Sequence, residues 1–184
     1  MGKRVQSKKK GNNFERDVVH LFKDLFKDEG FERNAFSGSL YGGSNRHRMQ
    51  GMNEEHTSAV CGDIICPKDY PFSIECKAYK DLDFHNIING SCKTLDEWID
   101  QAEDDAKATN KKVLIIIKIN NRGKYVVTKN LVLNSMDIST VSDLDSVAKY
   151  KSEYYVYSYD SFGEIANKFS CVVDWNINKG KEES

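Results

Sequence analysis

The sequence has no apolar run long enough to cross a membrane, and it has no internal repeat. Its longest uninterrupted apolar stretch, Val113 to Ile117, is the length of a β-strand, whereas a membrane-spanning helix needs about 20 apolar residues. The first residues lead into the lysine run Lys8-Lys9-Lys10 rather than an apolar segment, so we expect no signal peptide. We therefore expect no membrane partner.

The cysteines do not form a recognisable framework. There are five, an odd number, at irregular spacings and without a CxxC pair, which indicates reduced thiols in a cytoplasmic protein. A zinc site built from His56, Cys61, Cys66 and Cys76 is an alternative interpretation, but the spacing matches no common zinc finger.

The net charge of −1 hides an uneven distribution. Residues 1–50 hold 11 Lys/Arg against 6 Asp/Glu, and residues 51–184 hold 16 against 22. A basic first third suggests contact with a polyanion, although a solvated basic tail would show the same pattern. Hydrophobic content of 39% with 30% charged residues is typical of a soluble globular domain, and 184 residues are enough for a core.

Hydrophobic periodicity predicts a mixture of helices and strands. An apolar stripe predicts a helix from Asn12 to about Glu29, capped by Asn12 or Asn13 and ended by Gly30. The apolar run Val113 to Ile117 predicts a central strand buried on both faces. Further elements are a helix over 94–109, a helix over 161–169, and strands over 31–36, 60–66, 72–77, 112–119, 124–128, 154–159 and 171–173. This order predicts an α/β fold with a mixed β-sheet flanked by helices.

The segment from Val60 to Lys77 predicts a hairpin that separates apolar from charged side chains. If the turn is centred on Asp69, Asp63 lies opposite Glu75 and Ile64 opposite Ile74. Because side chains alternate along a strand, Ile64, Cys66, Phe72, Ile74 and Cys76 share one face, and Asp63, Glu75 and Lys77 share the other. Two opposed carboxylates are unfavourable unless a hard cation lies between them, and Mg²⁺ prefers one or two carboxylates with water and phosphate oxygens. A chance match of this short pattern remains an alternative.

The residues around the hairpin extend the pattern. Gly62-Asp63-Ile64-Ile65 is followed by Ile74-Glu75-Cys76-Lys77, and upstream lie Lys10-Gly11-Asn12-Asn13-Phe14-Glu15-Arg16-Asp17 and Gly30-Phe31-Glu32-Arg33-Asn34-Ala35-Phe36-Ser37-Gly38-Ser39. Over about residues 8–118 this order resembles the PD-(D/E)xK nucleases, in particular the archaeal-type Holliday junction resolvases and their phage relatives. Gly62 stands where the motif name has proline.

The resemblance implies a restriction-endonuclease-like core and a set of site residues. Asp63, Glu75 and the Cys76 carbonyl would be metal ligands, with Glu15 completing the acidic cluster. Lys77 would be the catalytic lysine, Gln101 would lie near the site, and either Ser37 or Ser39 would assist from a loop. The implied cofactor is Mg²⁺, with Mn²⁺ as a substitute.

These observations give the expected organisation and function. Residues 1–11 would be a flexible basic arm, residues 12–177 a single nuclease domain with its core at about 12–130 and an extension at 131–177, and residues 178–184 a frayed tail. The expected function is metal-dependent cleavage of branched or duplex DNA by a homodimer in the cytoplasm, that of the host if a phage encodes it. Phosphate contacts are expected from the basic residues Lys8, Lys9, Lys10, Arg16, Arg46 and Arg48. A sequence-specific or strand-degrading nuclease, and a DNA-binding protein without catalysis, are the alternatives.

Overall fold

The structure is a computed structural model that describes residues 2–35, 51–52, 57, 61–67, 70–129 and 146–162, without the side chains of residues 2–9 and 146. The elements within these residues, in chain order, are α1 (Gly2–Phe26), β1 (Glu32–Arg33), β2 (Ile64–Ile65), β3 (Phe72–Tyr79), α2 (Phe84–Ile88), α3 (Lys93–Ala108), β4 (Lys112–Ile119), β5 (Gly123–Lys129), β6 (Ser146–Tyr150) and β7 (Tyr154–Ser158).

The strands form one mixed sheet in the order β1-β2-β3-β4-β5-β7-β6 among the described residues. β3 and β4 run parallel, and the other neighbouring strands are antiparallel. β4 lies in the middle, and its residues from Val113 to Ile117 are buried, as the continuous apolar run predicts. The predicted α/β fold with a mixed sheet between helices is confirmed.

The helices α1 and α3 cover opposite faces of the sheet. On one face, Phe14, Val18 and Phe22 of α1 pack in a cluster with Ile74 and Leu114. On the other face, a second cluster contains the apolar stripe of α3 and the alternate residues of β4, together with Tyr150, Tyr154 and Val156. The buried residues of α3 are the five that the periodicity predicts: Leu95, Trp98, Ile99, Ala102 and Ala106. None of the described helices is both long and apolar enough to span a membrane.

The first helix differs from its prediction at both ends. It begins at Gly2 rather than Asn12, so residues 2–11 have a helical backbone where a flexible arm is predicted. Lysine, arginine and glutamine are good helix formers, so the packed part of α1 can extend through a segment that has no apolar stripe. The helix ends at Phe26 because Lys27 takes a left-handed conformation, with φ 51°, before the chain turns to bury Phe31.

Among the described residues 61–66 of the strand predicted over Val60–Cys66, only Ile64–Ile65 form a strand. Residues 61–63 form a bend because Gly62 has a positive φ of 72°, which interrupts an extended backbone. β6 and the short helix α2 are absent from the sequence prediction. β7 ends at Ser158, and residues 159–162 are helical. The rest of the predicted helix over 161–169 and the predicted strand over 171–173 lie outside the described residues.

Candidate active site

The β2–β3 hairpin brings Asp63 beside β3. Ile64 pairs with Ile74, which confirms the predicted register. Asp63 immediately precedes β2, and its backbone N–H donates to the Ile74 carbonyl at 2.8 Å. Its side-chain Oδ2 accepts a hydrogen bond from the backbone N–H of Cys76 at 2.8 Å. The carboxylate of Asp63 is therefore held against the strand that carries Glu75 and Lys77.

Gly62 and Asn34 fix the backbone on which Asp63 is mounted. A Cβ on Gly62 would lie 2.9 Å from the Ile74 carbonyl oxygen, and its φ of 72° lies outside the range of proline, near −65°. The Gly62 carbonyl accepts from Asn34 Nδ2 at 2.9 Å, and the Asp63 carbonyl accepts from the Asn34 backbone N–H at 2.9 Å. Asn34 is fully buried. The departure from proline in the motif thus has a local cause: this bend requires glycine.

Glu75, Lys77 and Gln101 form a closed triangle of hydrogen bonds. Lys77 Nζ donates to Glu75 Oε1 at 2.5 Å and to Gln101 Oε1 at 2.9 Å. Gln101 Nε2 donates to Glu75 Oε1 at 2.7 Å. Glu75 and Lys77 come from the same face of β3, and Gln101 comes from α3 across that face. The position of the Lys77 ammonium is therefore set by two partners on two elements.

Glu15 joins this group from the other helix. Its Oε2 forms an ion pair with Arg33 Nε on β1, the strand that pairs with β2. Burial raises the pKa of Glu15, and the nearby charge of Asp63 raises it further, which outweighs the opposite effect of Arg33. The carboxylate of Asp63 is thus close enough to influence both acidic neighbours, Glu15 and Glu75.

Glu75 is the most deeply buried acid of the group, with 4% of its surface exposed. Burial is the main cause that raises the pKa of Glu75 to about 8, and the charge of Asp63 raises it in the same direction. The ion pair with Lys77 lowers the pKa but does not offset these two effects. The carboxyl groups of Asp63 and Glu75 therefore resist being charged together, and a cation bound between them would relieve that repulsion.

The donor set fits a hard divalent cation. No group of three or more His, Cys, Asp or Glu side chains in the described part of the chain is arranged to hold a metal ion alone. Mg²⁺ needs less, because it binds through one or two carboxylates and completes its shell with water and substrate oxygens. Asp63 and Glu75 supply such carboxylates, and their mutual repulsion is what a bound cation would relieve. The residues present therefore fit Mg²⁺.

The cysteines of the alternative zinc site are poor ligands. Cys66 and Cys76 pack against the core cluster of α1, as the alternation predicts. Burial raises the pKa of Cys66 to about 12, and burial with the nearby acids raises that of Cys76 well above its ordinary value. Zinc binds cysteine as the thiolate. The raised pKa values of Cys66 and Cys76 disfavour the thiolate form, so neither is a favourable zinc ligand. His56 lies outside the described residues.

The predicted site residues divide into those that the structure brings together and those that it does not describe. Asp63, Glu75, Lys77 and Gln101 lie together, with Glu15 beside Asp63. Lys10 and Arg16 are exposed on α1. For Lys8 and Lys9 only the helical backbone is described, and Ser37, Ser39, Arg46 and Arg48 lie outside the described residues.

Two residues of the site are absent from the sequence prediction. Arg33 and Asn34 are adjacent in the chain, and they bind Glu15 and the Gly62–Asp63 backbone. Both lie in the segment Gly30 to Ser39, which the resemblance includes. A charged residue in a strand with a polar neighbour is the signal that could have identified them.

Comparison with known families decides which family the chain belongs to. Residues 6–173 match the model of a family described as "phage putative PDDEXK endonuclease". The chain belongs to this family. The match supports nuclease activity, and it confirms the resemblance to PD-(D/E)xK nucleases and the restriction-endonuclease-like fold. It also extends to residue 173, well beyond residue 118, where the resemblance found in the sequence ends.

A solved structure gives a weaker comparison. The chain is similar, at 15% identity and a TM-score of 0.38, to Hjc of Archaeoglobus fulgidus, a Holliday junction resolvase from an archaeal hyperthermophile. The similarity covers 85% of this chain and 99% of that one. No curated protein sequence matches the chain.

Proposed function

We propose that this PDDEXK endonuclease is a magnesium-dependent enzyme that hydrolyses phosphodiester bonds in DNA and prefers branched DNA such as a Holliday junction. The observation that supports the proposal is the buried carboxylate of Glu75, hydrogen-bonded to Lys77 and Gln101 beside a second carboxylate, Asp63. A buried group of like charges costs stability. Such a group is typical of a site where a cation and a phosphate bind.

Asp63, Glu75 and the Cys76 carbonyl are the proposed metal ligands, and Glu15 completes the acidic cluster. When bound, Mg²⁺ would polarise the phosphoryl group and lower the pKa of a water molecule. Mn²⁺ has similar ligand preferences, so we expect it to substitute.

The other residues act through position and charge. Lys77 would orient the attacking water or neutralise the charge that develops on the phosphate. Gln101 positions Lys77, because it is hydrogen-bonded to both Lys77 and Glu75. Arg33 would hold the Glu15 carboxylate in place through its ion pair. Ser37 or Ser39 would assist from the segment that follows β1.

The proposed DNA contacts come from α1 and from the chain segment after β1. Lys8, Lys9, Lys10 and Arg16 would bind backbone phosphates, and so would Arg46 and Arg48. Such contacts carry no sequence information, which agrees with selection by DNA structure. Because a symmetric junction must be cut on two strands, we propose that the enzyme acts as a homodimer.

The test is cleavage of a labelled four-way junction and a matched linear duplex by the wild type and Glu75→Ala, in Mg²⁺ or EDTA. We expect Mg²⁺-dependent cutting of the junction, with little cutting of the duplex. Glu75→Ala removes a ligand and should lose all measurable activity. Glu97→Ala, at an exposed position on α3, is the matched control and should cut like the wild type.

Each other outcome has a defined meaning. Equal cutting of junction and duplex would support a nuclease but contradict structure selectivity. Activity that persists in EDTA would contradict the metal. Tight binding of DNA without cleavage in Mg²⁺ or Mn²⁺ would contradict catalysis and leave a DNA-binding protein.

A further inference from the structure

The proposed active site continues along β3 and α3 into a pair of aromatic residues. Glu75, Lys77 and Tyr79 are alternate residues of β3 and so project from the same face. On α3, Gln101 and Trp98 are three residues apart, and such residues are neighbours on a helix surface. Gln101 contacts Lys77, and Trp98 contacts Tyr79 with ring centroids 5.3 Å apart. The aromatic pair is therefore the next contact between the two elements after the lysine.

The two rings differ in exposure. Trp98 is 8% exposed and belongs to the core cluster of α3, whereas Tyr79 is 49% exposed. Their planes meet at 71°, an edge-to-face contact that leaves part of the outer ring uncovered. The open aromatic surface at this end of the site belongs to Tyr79.

Tyr79 is also held firmly by its backbone. It pairs with Ile119 on the central strand β4, and its carbonyl accepts a hydrogen bond from the Asn120 N–H at 3.1 Å. An exposed ring on an anchored strand, supported by a buried tryptophan, loses little conformational freedom when a ligand covers it. This arrangement suits a flat ligand better than an adaptable protein partner.

We propose that Tyr79 is a stacking platform for one unpaired nucleobase of the DNA strand that is cut. The inference rests on the proposed nuclease function and adds a substrate feature, an unpaired nucleotide beside the cleaved bond. Because a strand rises about 3.3 Å per residue, Tyr79 lies about 6.6 Å along β3 from Lys77. That distance brings its ring within reach of the nucleotide next to the phosphate held at Lys77. Lys80 follows directly and is exposed, where its charge suits the DNA backbone.

Stacking on Tyr79 distinguishes DNA structures without reading sequence. Every base has an aromatic face, so the contact tolerates any base. In an intact duplex the faces are already covered by neighbouring bases, and uncovering one costs a few kcal/mol. At a single-stranded flap an unpaired base presents its face without that cost. The platform therefore favours DNA with an unpaired nucleotide beside the cleaved bond.

The test uses a duplex with a single-stranded flap that carries 2-aminopurine at the unpaired nucleotide of the branch point, and a fully paired duplex. Wild type, Tyr79→Phe and Tyr79→Leu are compared, with Val147→Ala as the control at an apolar position that is 47% exposed on β6. Binding is followed in EDTA by 2-aminopurine fluorescence, and kcat/KM is measured in Mg²⁺.

We expect Tyr79→Leu to lose about 5- to 150-fold in kcat/KM on the flap, the range of 1–3 kcal/mol for one base–aromatic stack. Its activity on the paired duplex should stay within about twofold of wild type, because no unpaired base is available there. Tyr79→Phe keeps the ring and should retain flap activity. The wild type and Tyr79→Phe should quench the 2-aminopurine fluorescence, and Tyr79→Leu should not.

Two failures are distinguishable. If the wild type cuts the flap but does not quench 2-aminopurine, or if Tyr79→Leu matches the wild type in both assays, stacking on Tyr79 is overturned and the nuclease function stands. If the wild type cuts neither substrate, the proposed function fails. The fluorescence of the wild type with flap DNA tests the stacking of a base on the protein even when a variant does not fold.

Discussion

Glu75 is an acid in surroundings that disfavour its charge. It lies under α3 on a sheet face, 4% exposed, and the carboxylate of Asp63 is close enough to raise its pKa. Its hydrogen bonds to Lys77 and Gln101 satisfy the carboxylate but do not remove this cost. A residue of this kind links the stability of the fold to proton and metal binding.

We predict that the metal-free protein loses stability as the pH rises from about 4.5 to about 8. Burial raises the pKa of Glu75 from 4.5 to about 8 in the folded state, so the folded protein binds a proton that the unfolded chain has released. The stabilisation is complete below pH 4.5 and is lost as the pH approaches 8, at up to about 1.4 kcal/mol per pH unit. Urea unfolding in EDTA between pH 5 and 8.5 measures it.

Glu75→Gln keeps the shape of the side chain without the charge, so its free energy of unfolding should change less with pH than that of the wild type. Mg²⁺ should raise the stability of the wild type at pH 8 and leave Glu75→Gln almost unchanged. Glu97→Gln, at an exposed position, is the control and should follow the wild type. Parallel pH profiles for wild type and Glu75→Gln would contradict the assignment.

At the residue scale, alternation along β3 predicted that Glu75 and Lys77 share a face. Asp63 lies in the bend before β2, and its hydrogen bond from the Cys76 N–H, not alternation, holds it against β3. Alternation could not identify Asn34, because its two hydrogen bonds to Gly62 and Asp63 join segments about 28 residues apart in the chain. Gly62 shows the same limit. The sequence contains the glycine, but only the bend shows that a Cβ there would meet the Ile74 carbonyl.

At the scale of elements, the start of α3 is held by a residue from β6. Cys92 is the N-cap of α3 and makes no side-chain capping hydrogen bond. The hydroxyl of Tyr150 accepts from the Cys92 N–H at 3.0 Å and donates to Asp96 Oδ1 at 2.6 Å. Tyr150 is fully buried. It thus satisfies the N–H of the cap residue and ties β6 to the first turns of the helix that carries Gln101 and Trp98.

We predict that Tyr150→Phe lowers the free energy of unfolding by about 1–2 kcal/mol, because a buried donor and acceptor lose their partner. Tm should fall by about 2–8 °C, which thermal unfolding followed by circular dichroism measures. Tyr155→Phe on β7, where the ring stacks against Tyr157, is the matched control and should leave Tm almost unchanged. A similar loss for both variants would show that the cap does not matter.

Secondary structure was predicted best where the hydrophobic pattern extends over many residues. The apolar stripe of α3 predicted the helix and its buried face, and the continuous run in β4 predicted a strand buried on both faces. β6 escaped prediction because it is five residues long and lies at the edge of the sheet, where one neighbouring strand and partial burial produce only a weak pattern. β6 supports α3 through the contact between Tyr150 and Cys92, which lie 58 residues apart in the chain.

At the scale of the whole molecule, much of the basic first third of the sequence lies in α1. The basic residues Lys8 to Lys10 belong to the same helix as Glu15, not to a flexible arm. A helix holds its charges at a fixed rise of about 1.5 Å per residue. Phosphate contacts made there would therefore orient DNA relative to the proposed site rather than only raise its local concentration.

We predict that Lys8→Ala, Lys9→Ala and Lys10→Ala combined weaken junction and duplex binding by a similar factor. Each lost phosphate contact should reduce the slope of log K against log salt concentration by about 0.9, so the slope changes by up to about 2.7. Because alanine is an excellent helix former, α1 should remain intact, and kcat at saturating DNA should change little. Fluorescence anisotropy with labelled DNA between about 50 and 300 mM salt measures the slope.

The control for this charge change is the removal of lysines far from α1. Lys93→Ala and Lys107→Ala, both at exposed positions on α3, which covers the opposite face of the sheet from α1, also lower the net charge but should leave the salt slope unchanged. If they weaken binding as much as the triple variant, binding responds to net charge alone, and the helical placement of Lys8 to Lys10 has no special role. A change confined to the triple variant would instead assign the polyanion contact to the extended first helix.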